Sequence, residues 1–110
     1  MEKRYKIEYL PAAKSDLLGV FEYISPRNFT AADRLLNIFD QEISKLEKLP
    51  YMGKVPDDYE LAAKEYRVLV VERYFVFYVI LEHDLLIEIR RILSSRQNYL
   101  QWLGESLQED

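Results

Sequence analysis

Cysteine is absent from the 110-residue sequence, histidine occurs once and glycine three times. Without cysteine, the chain can form neither a disulfide framework nor a thiolate metal site. The single histidine, His83, has no nucleophile-elbow glycines near it, so we interpret it as a turn residue rather than as part of a Ser-His-Asp triad. The glycines are not clustered, which excludes the familiar phosphate-binding loops. Because the carboxylates also lack metal-ligand spacing, we expect neither a metal nor a small-molecule cofactor.

Long hydrophobic runs are also missing. The longest one, residues 74–81, is far too short for a transmembrane helix, which needs about 20 apolar residues. The N-terminus turns from polar to strand-like without the apolar core of a signal peptide. Together with the absence of cysteine, these features predict a cytoplasmic protein with no membrane partner.

Basic residues are outnumbered by acidic ones, 15 against 19, which leaves a net charge of −4 and a pI near 5.1. This balance argues against general binding to nucleic acid, because proteins that grip phosphate backbones usually have a basic surface. The charges are nevertheless uneven. Residues 87–103 contain Arg90, Arg91 and Arg96 against the single acid Glu88, so a local basic site on the last strand remains open.

The first half of the chain has the pattern of a strand followed by two helices. Residues 4–10 alternate polar and apolar side chains, as a half-buried strand does. Pro11 suits a first helical turn, and an apolar stripe with helical spacing follows up to Ile24. A second helix is predicted to begin at Thr30 and to end before Pro50. Because only about four residues join them, the two helices should form an antiparallel hairpin.

The second half is rich in strand-forming residues. An acidic loop is predicted over residues 57–64, and three runs dense in β-branched and aromatic residues follow it, at 66–71, 74–81 and 85–93. Short polar breaks separate these runs, which indicates an antiparallel meander. The middle run is apolar on both faces, so it belongs inside a sheet with the helical hairpin on one side. A short amphipathic helix containing Trp102 is predicted at the end.

The expected fold is therefore α+β, with the order β-α-α-β-β-β. A four-stranded, mainly antiparallel sheet packs on the helical hairpin, and a short C-terminal helix follows. The length suits one domain over residues 1–110, and a hydrophobic content of 49% is enough to bury its core.

Two arginines on the predicted strands are candidate site residues. Arg67 begins a strand, and Arg91 occupies a side of its strand that alternation with Ile87 and Ile89 would otherwise make apolar. A guanidinium placed there needs a partner, because an unpaired charge at a partly buried site is costly. Arg91 either forms an internal ion pair, with Glu88, Glu72 or a helix acid, or it binds the anion of a phosphate or a partner carboxylate.

Aromatic residues form the second candidate set. Three tyrosines could stack on nucleobases, as aromatic residues do on some RNA-binding sheets, or they could be core or partner-facing residues. They are Tyr74, Tyr78 and Tyr99. Trp102 and Leu103 either cap the core or form an apolar patch for a partner helix or strand.

Several local patterns and their order resemble one known family. They lie in the strand that runs into residues 11–17, in the helix end at 49–53, and in the meander segments 66–69, 74–78 and 87–96. Over nearly the whole chain these segments are similar to the RelE/ParE superfamily of bacterial type II toxins. The Pro-x-Met-Gly helix end and the Phe-Tyr of the middle strand are more similar to the ParE branch.

The resemblance implies a toxin that inhibits growth by poisoning DNA gyrase and is neutralised by a cognate antitoxin. The exposed sheet face and the tail are expected to bind that antitoxin through an added strand or a helix in an apolar groove, with Tyr74, Tyr78, Trp102 and Leu103 as contacts.

The other branch of the superfamily implies a ribosome-dependent mRNA endoribonuclease. In that case Arg67, Arg91, Arg96 and Tyr99 would be the catalytic residues, although Ser94 stands where the family often has a histidine. RNA cleavage by proton transfer needs a well-placed acid or base, so this substitution favours the gyrase poison. A third alternative is a degenerate toxin that only binds its antitoxin.

Overall fold

The computed structural model describes residues 3–94 and 101–102. Its elements are β1 (Lys6–Tyr9), α1 (Pro11–Ile24), α2 (Phe29–Ser44), α3 (Tyr59–Ala63), β2 (Tyr66–Val71), β3 (Tyr74–Leu81) and β4 (Leu86–Leu93). The predicted α+β class and the order β-α-α-β-β-β are confirmed, with one short additional helix.

The four strands form one mixed sheet in the order β1-β4-β3-β2. The strands β2, β3 and β4 pair antiparallel as a meander, whereas β1 pairs parallel to β4, with Ile7 opposite Ile87. A parallel neighbour requires a long crossover connection. Here all the elements from α1 to β3 lie between the two strands in sequence, and the two-helix hairpin carries the chain across one face of the sheet.

The hairpin covers one face of the sheet. Pro11 occupies the first turn of α1, as its position in the sequence predicts. The second helix begins earlier than expected, because the side chain of Asn28 rather than that of Thr30 caps it by accepting from the Ala31 N–H at 3.0 Å. The hairpin contributes fully buried apolar side chains to the core, namely Ala13, Ala32, Phe39 and Ile43.

The segment predicted as an acidic loop contains the short helix α3. The Asp58 side chain caps it by accepting from the Leu61 N–H at 3.0 Å, and Leu61 is only 1% exposed. Glu65, with a φ of 65°, then turns the chain into β2. A five-residue helix held by one apolar anchor has no detectable period, which is why the loop prediction was wrong.

The structure shows which of the two apolar faces of β3 the helices cover. Val76 and Tyr78 have no exposed surface and lie under the helices, whereas Phe77 faces away and packs with Leu61 and Trp102. Of the roles considered for Tyr78, the core position is the one that the structure shows, and its side chain has no exposed surface for the predicted contact with a partner. Because both faces of this strand are equally apolar, alternation alone does not tell which one the helices cover.

A β-bulge in β4 changes which residues face the helices. Phe77 lies opposite Arg91 while Tyr78 lies opposite Ile89, so Arg90 is the extra residue. Ile89 and Ile92 consequently both join the core under the helices. Arg91 lies opposite Phe77, on the face of the sheet away from the helices. Unbroken alternation would have placed it on the same face as Ile87 and Ile89.

Only two residues of the predicted C-terminal helix are described. Gln101 and Trp102 have helical backbone, and Trp102 is 7% exposed. Within residues 3–94 and 101–102, no helix is both long and apolar enough to cross a membrane.

Candidate functional site

Arg91 forms a two-point ion pair with Asp16 of α1. Its Nε donates to Oδ2 at 2.8 Å and its Nη2 to Oδ1 at 3.1 Å. The backbone N–H of Ile92 also donates to Oδ2, at 2.8 Å. Since β1 ends at Tyr9, opposite Ile89, the edge of β4 beyond that point has no neighbouring strand, and Asp16 takes its place. A helix acid, one of the three acidic partners considered for Arg91, is thus the residue that binds it.

Arg67 is bound to the loop that follows α2. Its Nε and Nη2 donate to the carbonyl oxygen of Gly53 at 3.2 and 2.7 Å, and Nη2 also donates to the Tyr51 carbonyl at 3.1 Å. Its guanidinium lies 5.2 Å from the centre of the Tyr51 ring. Arg67 therefore fixes this loop against β2 through backbone acceptors.

Tyr78 fixes the same loop from inside the core. Its hydroxyl donates to the Pro50 carbonyl at 2.8 Å and accepts from the Gly53 N–H at 3.1 Å. Burial raises the pKa of Tyr78, which keeps the hydroxyl protonated and able to donate. A Cβ atom on Gly53 would lie 2.5 Å from that hydroxyl oxygen and 2.9 Å from the Val68 carbonyl oxygen. The Pro-x-Met-Gly segment thus has a structural role in this chain.

A carboxylate joins three distant segments at the other end of β4. Both Tyr5, before β1, and Tyr51, in the loop after α2, donate their hydroxyls to Glu82. The hydrogen bond from Tyr5, and then the one from Tyr51, lowers the pKa of Glu82, while the same contact raises the pKa of Tyr5 to about 12. No local pattern identified this cluster, because its members are brought together only by the sheet.

Tyr74 and Trp102 lie on opposite faces of the sheet near the end of β4. The ring of Tyr74 is 5.2 Å from that of Phe39, under the helices. The ring of Trp102 is 5.0 Å from that of Phe77 and 5.9 Å from the Arg91 guanidinium. Trp102 therefore caps the apolar cluster on the sheet face away from the helices. The remaining predicted site residues, Arg96, Tyr99 and Leu103, lie outside the described residues.

A cleft of about 760 Å³ brings three of the predicted residues together. It lies between α1 and the end of β4, and Tyr74, Arg91 and Trp102 all line it. Arg67 and Tyr78 are not part of it. Tyr23 and Arg73 also line the cleft, but the sequence did not identify them as candidate site residues. What distinguishes them in the structure is that both side chains are exposed.

Aromatic, arginine and aspartate side chains line the cleft. Asp16 and Arg91, both in its lining, form an ion pair, and Ser94 also lines it. Within the part of the chain that the structure describes, no group of three His, Asp or Glu side chains is placed to hold a metal ion. Aromatic walls and the exposed arginine Arg73 suit a partner chain with apolar and acidic side chains.

One family model matches most of the chain. A model described as the ParE toxin of the type II toxin-antitoxin system, parDE, matches residues 7–99. No curated protein sequence matches the chain significantly.

Several solved structures have a similar fold, and two of them are toxin-antitoxin proteins by name. One is a chain of the chromosomal ParDE toxin-antitoxin system from P. aeruginosa, with a TM-score of 0.70 and 13% identity over 86% of this chain and 100% of that one. The other belongs to the toxin-antitoxin complex RelBE2 from Mycobacterium tuberculosis, with a TM-score of 0.57 and 21% identity over 84% of this chain and 99% of that one. At these identities the likeness concerns the fold.

Proposed function

Because the chain belongs to the ParE toxin family, we propose that it arrests growth by poisoning DNA gyrase and that a cognate antitoxin keeps it inactive. It is a toxin component of a type II toxin-antitoxin system, and the predicted membership of the RelE/ParE superfamily, nearer to ParE, is confirmed. Gyrase acts in the cytoplasm, so we place the toxin there.

The main support for a protein target is the state of the two arginines on which mRNA cleavage would depend. Arg91 is paired at two points with Asp16, so a scissile phosphate would have to displace a carboxylate from it. The Nε and Nη2 of Arg67 are used by the Gly53 and Tyr51 carbonyls. Arginines bound in this way serve the fold and leave little for phosphate binding.

The position of His83 supports the same preference. It lies in the turn between β3 and β4, whereas the cleft lies at the opposite end of β4, eight residues away along the strand. A strand of that length separates its ends by about 25 Å, far beyond hydrogen-bond reach. His83 therefore cannot replace the missing histidine at Ser94.

The antitoxin is proposed from the family and from the neighbouring complexes, both of which are toxin-antitoxin systems by name. Of the predicted partner contacts, Tyr74 and Trp102 are retained because they line the cleft. Tyr78 is not retained, since it is fully buried and its hydroxyl is bound to the Pro50–Gly53 turn.

The test is inducible expression of the chain with and without the product of the short reading frame adjoining its gene. We expect growth arrest by the chain alone, inhibition of gyrase supercoiling by the purified protein, and rescue by the neighbour. Arrest with ribosome-dependent mRNA cuts, lost in Arg67→Ala but kept in the exposed control Arg34→Ala, would replace the proposal with the nuclease. Expression without arrest would favour the degenerate toxin, and the absence of any such neighbour would contradict the paired-toxin proposal.

A further inference from the structure

The loop over residues 48–56, between α2 and α3, exposes large apolar side chains. Leu49 is 59% exposed, and Tyr51 and Val55 are each 55% exposed. Single exposed apolar residues are ordinary on a protein surface, but three in one short loop form a patch of the kind that marks an interaction surface.

The 48–56 loop is also basic, in a chain that is acidic overall. It contains Lys48 and Lys54 and no aspartate or glutamate, so its charge is +2 against −4 for the whole chain. Both lysines are exposed. Neither forms an ion pair within residues 3–94 and 101–102. Their charge is therefore available to an acidic partner.

A second cleft, of about 480 Å³, lies beside the loop. Lys48, Leu49 and Tyr51 line it from the loop, and Lys3 and Tyr5 line it from the N-terminal segment. The positive charge of Lys3 acts on the nearby carboxylate that the tyrosines bind, which leaves Lys48 as the unbalanced charge at this cleft. Apolar walls beside a lysine suit an apolar side chain of a partner that also has acidic residues.

The main chain of the loop is fixed from two sides. The hydroxyl of Tyr78 binds Pro50 and Gly53 from inside the core. The guanidinium of Arg67 binds the carbonyl oxygens of Tyr51 and Gly53 from β2. Recognition residues typically lie on loops that a rigid scaffold positions, and a loop that is already rigid loses less conformational entropy when it binds. The 48–56 loop is therefore pre-organised for binding.

The loop is remote from the cleft beside α1. Tyr74, the first residue of β3, lines that cleft, whereas Tyr51 binds Glu82, the residue directly after β3. The eight residues of β3 span about 25 Å. The 48–56 loop is thus a separate surface from the one at which we place the antitoxin.

We propose that the 48–56 loop is the surface through which the toxin binds its protein target, DNA gyrase. Leu49 and Val55 contact an apolar area of the target, and Lys48 and Lys54 pair with acidic residues around it. This inference rests on the proposed function, since it assigns a surface of the toxin to the target proposed there.

The alternative occupants fit the loop less well. A second copy of the chain would bring two basic loops together at a self-complementary interface, so that like charges would oppose each other. Nucleic acid would be held by only two lysines, against the repulsion of a chain with a net charge of −4. The side chains of Leu49 and Val55 also lack a ring on which a base can stack. An acidic protein surface uses both the charge and the apolar area.

The test compares loop variants in two assays, inhibition of supercoiling by purified gyrase holoenzyme and calorimetric affinity for the full-length product of the adjoining short reading frame. Leu49→Ser and Val55→Ser each remove an exposed apolar side chain, and the double variant Lys48→Glu, Lys54→Glu reverses the charge. We expect Leu49→Ser and the double variant to raise the toxin concentration for half-inhibition by about tenfold, and Val55→Ser by about fivefold. Antitoxin affinity should stay within about threefold of the wild type.

Each kind of change has a matched control elsewhere on the surface. Val70→Ser makes the same substitution as Val55→Ser at a residue of β2 that is 50% exposed. Arg34→Glu reverses a charge on the exposed side of α2. Both controls should inhibit gyrase within about threefold of the wild type, and thermal unfolding shows that each variant is folded. Because salt screens attraction between charges, the affinity of the double lysine variant for gyrase should also depend less on salt than that of the wild type.

The outcomes separate this inference from the proposed function. Wild-type inhibition by the loop variants would overturn the inference and leave gyrase as the target. Loss of antitoxin affinity with inhibition retained would overturn it in favour of an antitoxin surface, and an equal loss of inhibition in the controls would remove the special role of the loop. A wild-type protein that does not inhibit gyrase would instead contradict the proposed function.

Discussion

Asp16 and Arg91 lie 75 residues apart in sequence and meet in a two-point ion pair between α1 and the end of β4. The same carboxylate accepts the N–H of Ile92, just beyond the bulge at Arg90. One side chain therefore closes the sheet edge that β1 leaves open, neutralises the arginine and anchors α1 beside the cleft. Loss of this ion pair should therefore both destabilise the fold and alter the cleft that Asp16 and Arg91 line.

Replacement of Asp16 by Asn should destabilise the protein by about 1–3 kcal/mol, because Arg91 would keep its charge at a site where its side chain is only 27% exposed. Urea unfolding measures this loss. The double variant with Arg91→Met should recover part of it, since both charged partners are then gone. Asp33→Asn, on the exposed side of α2, is the matched control and should change stability by less than about 0.5 kcal/mol. An equal effect in both variants would contradict the role of the ion pair.

Gly53→Ala should cost about 2 kcal/mol, because its Cβ would lie 2.5 Å from the Tyr78 hydroxyl oxygen. Combining it with Tyr78→Phe, which removes that hydroxyl, should restore part of the lost stability relative to Tyr78→Phe alone. Gly19→Ala is the contrasting variant. Its added methyl group has no neighbour within 4 Å, so it should raise stability by up to about 1 kcal/mol. Similar losses at both glycines would show that crowding at Tyr78 is not the cause.

Much of the fold was predictable because hydrophobic spacing is a local signal. The alternation before Pro11 and the helical stripe after it correctly placed β1 and α1, and the polar break before Tyr74 correctly separated β2 from β3. The bulge at Arg90 was not predictable, since a single inserted residue leaves the composition of the strand unchanged. Its effect was large, because it put Arg91 on the opposite face.

The candidate site was predictable only in part, for a related reason. Arg91 was recognised as needing a partner from its place in an apolar strand, yet three acidic partners were equally compatible with the sequence. The cluster around Glu82 gave no signal, because Tyr5 and Tyr51 approach it only in the folded sheet. Family resemblance supplied the toxin assignment, and Arg73 became a candidate only through its place at the rim of the cleft.

Stability should fall at acid pH in a way that depends on Glu82. Hydrogen bonds from Tyr5 and Tyr51 lower its pKa in the folded state below the ordinary value of 4.5. This contribution is fully present above pH 4.5 and is lost as the pH falls through the lower folded pKa. Urea midpoints between pH 6 and pH 3 should therefore decline less steeply in Glu82→Gln than in the wild type. Glu60→Gln, in α3, is the control, and the same flattening there would contradict the assignment.

The stability of the protein should also fall at alkaline pH. The contact with Glu82 raises the pKa of Tyr5 to about 12, against an ordinary value of 10.0. An acid whose pKa is raised by folding contributes stability below pH 10 that is lost as the pH rises towards 12. Tyr5→Phe should reduce this loss, which unfolding midpoints at pH 9 and pH 11 would reveal. Part should remain, because burial also raises the pKa of Tyr9 to about 12. If Tyr5→Phe loses as much stability between pH 9 and pH 11 as the wild type, the role of Tyr5 is refuted.

Trp102→Ala should destabilise the protein by about 3 kcal/mol, because Trp102 is 7% exposed and its ring packs on Phe77 and on Tyr66 at 5.0 and 5.7 Å. Thermal unfolding gives the loss, and Tyr59→Ala, at a residue that is 84% exposed, is the aromatic control with little expected effect. The prediction decides between the two roles considered for Trp102. Unchanged stability together with weaker antitoxin binding would make Trp102 a partner contact instead of a cap on the core. A loss of stability would assign Trp102 to the fold, as a cap on the apolar cluster with Phe77.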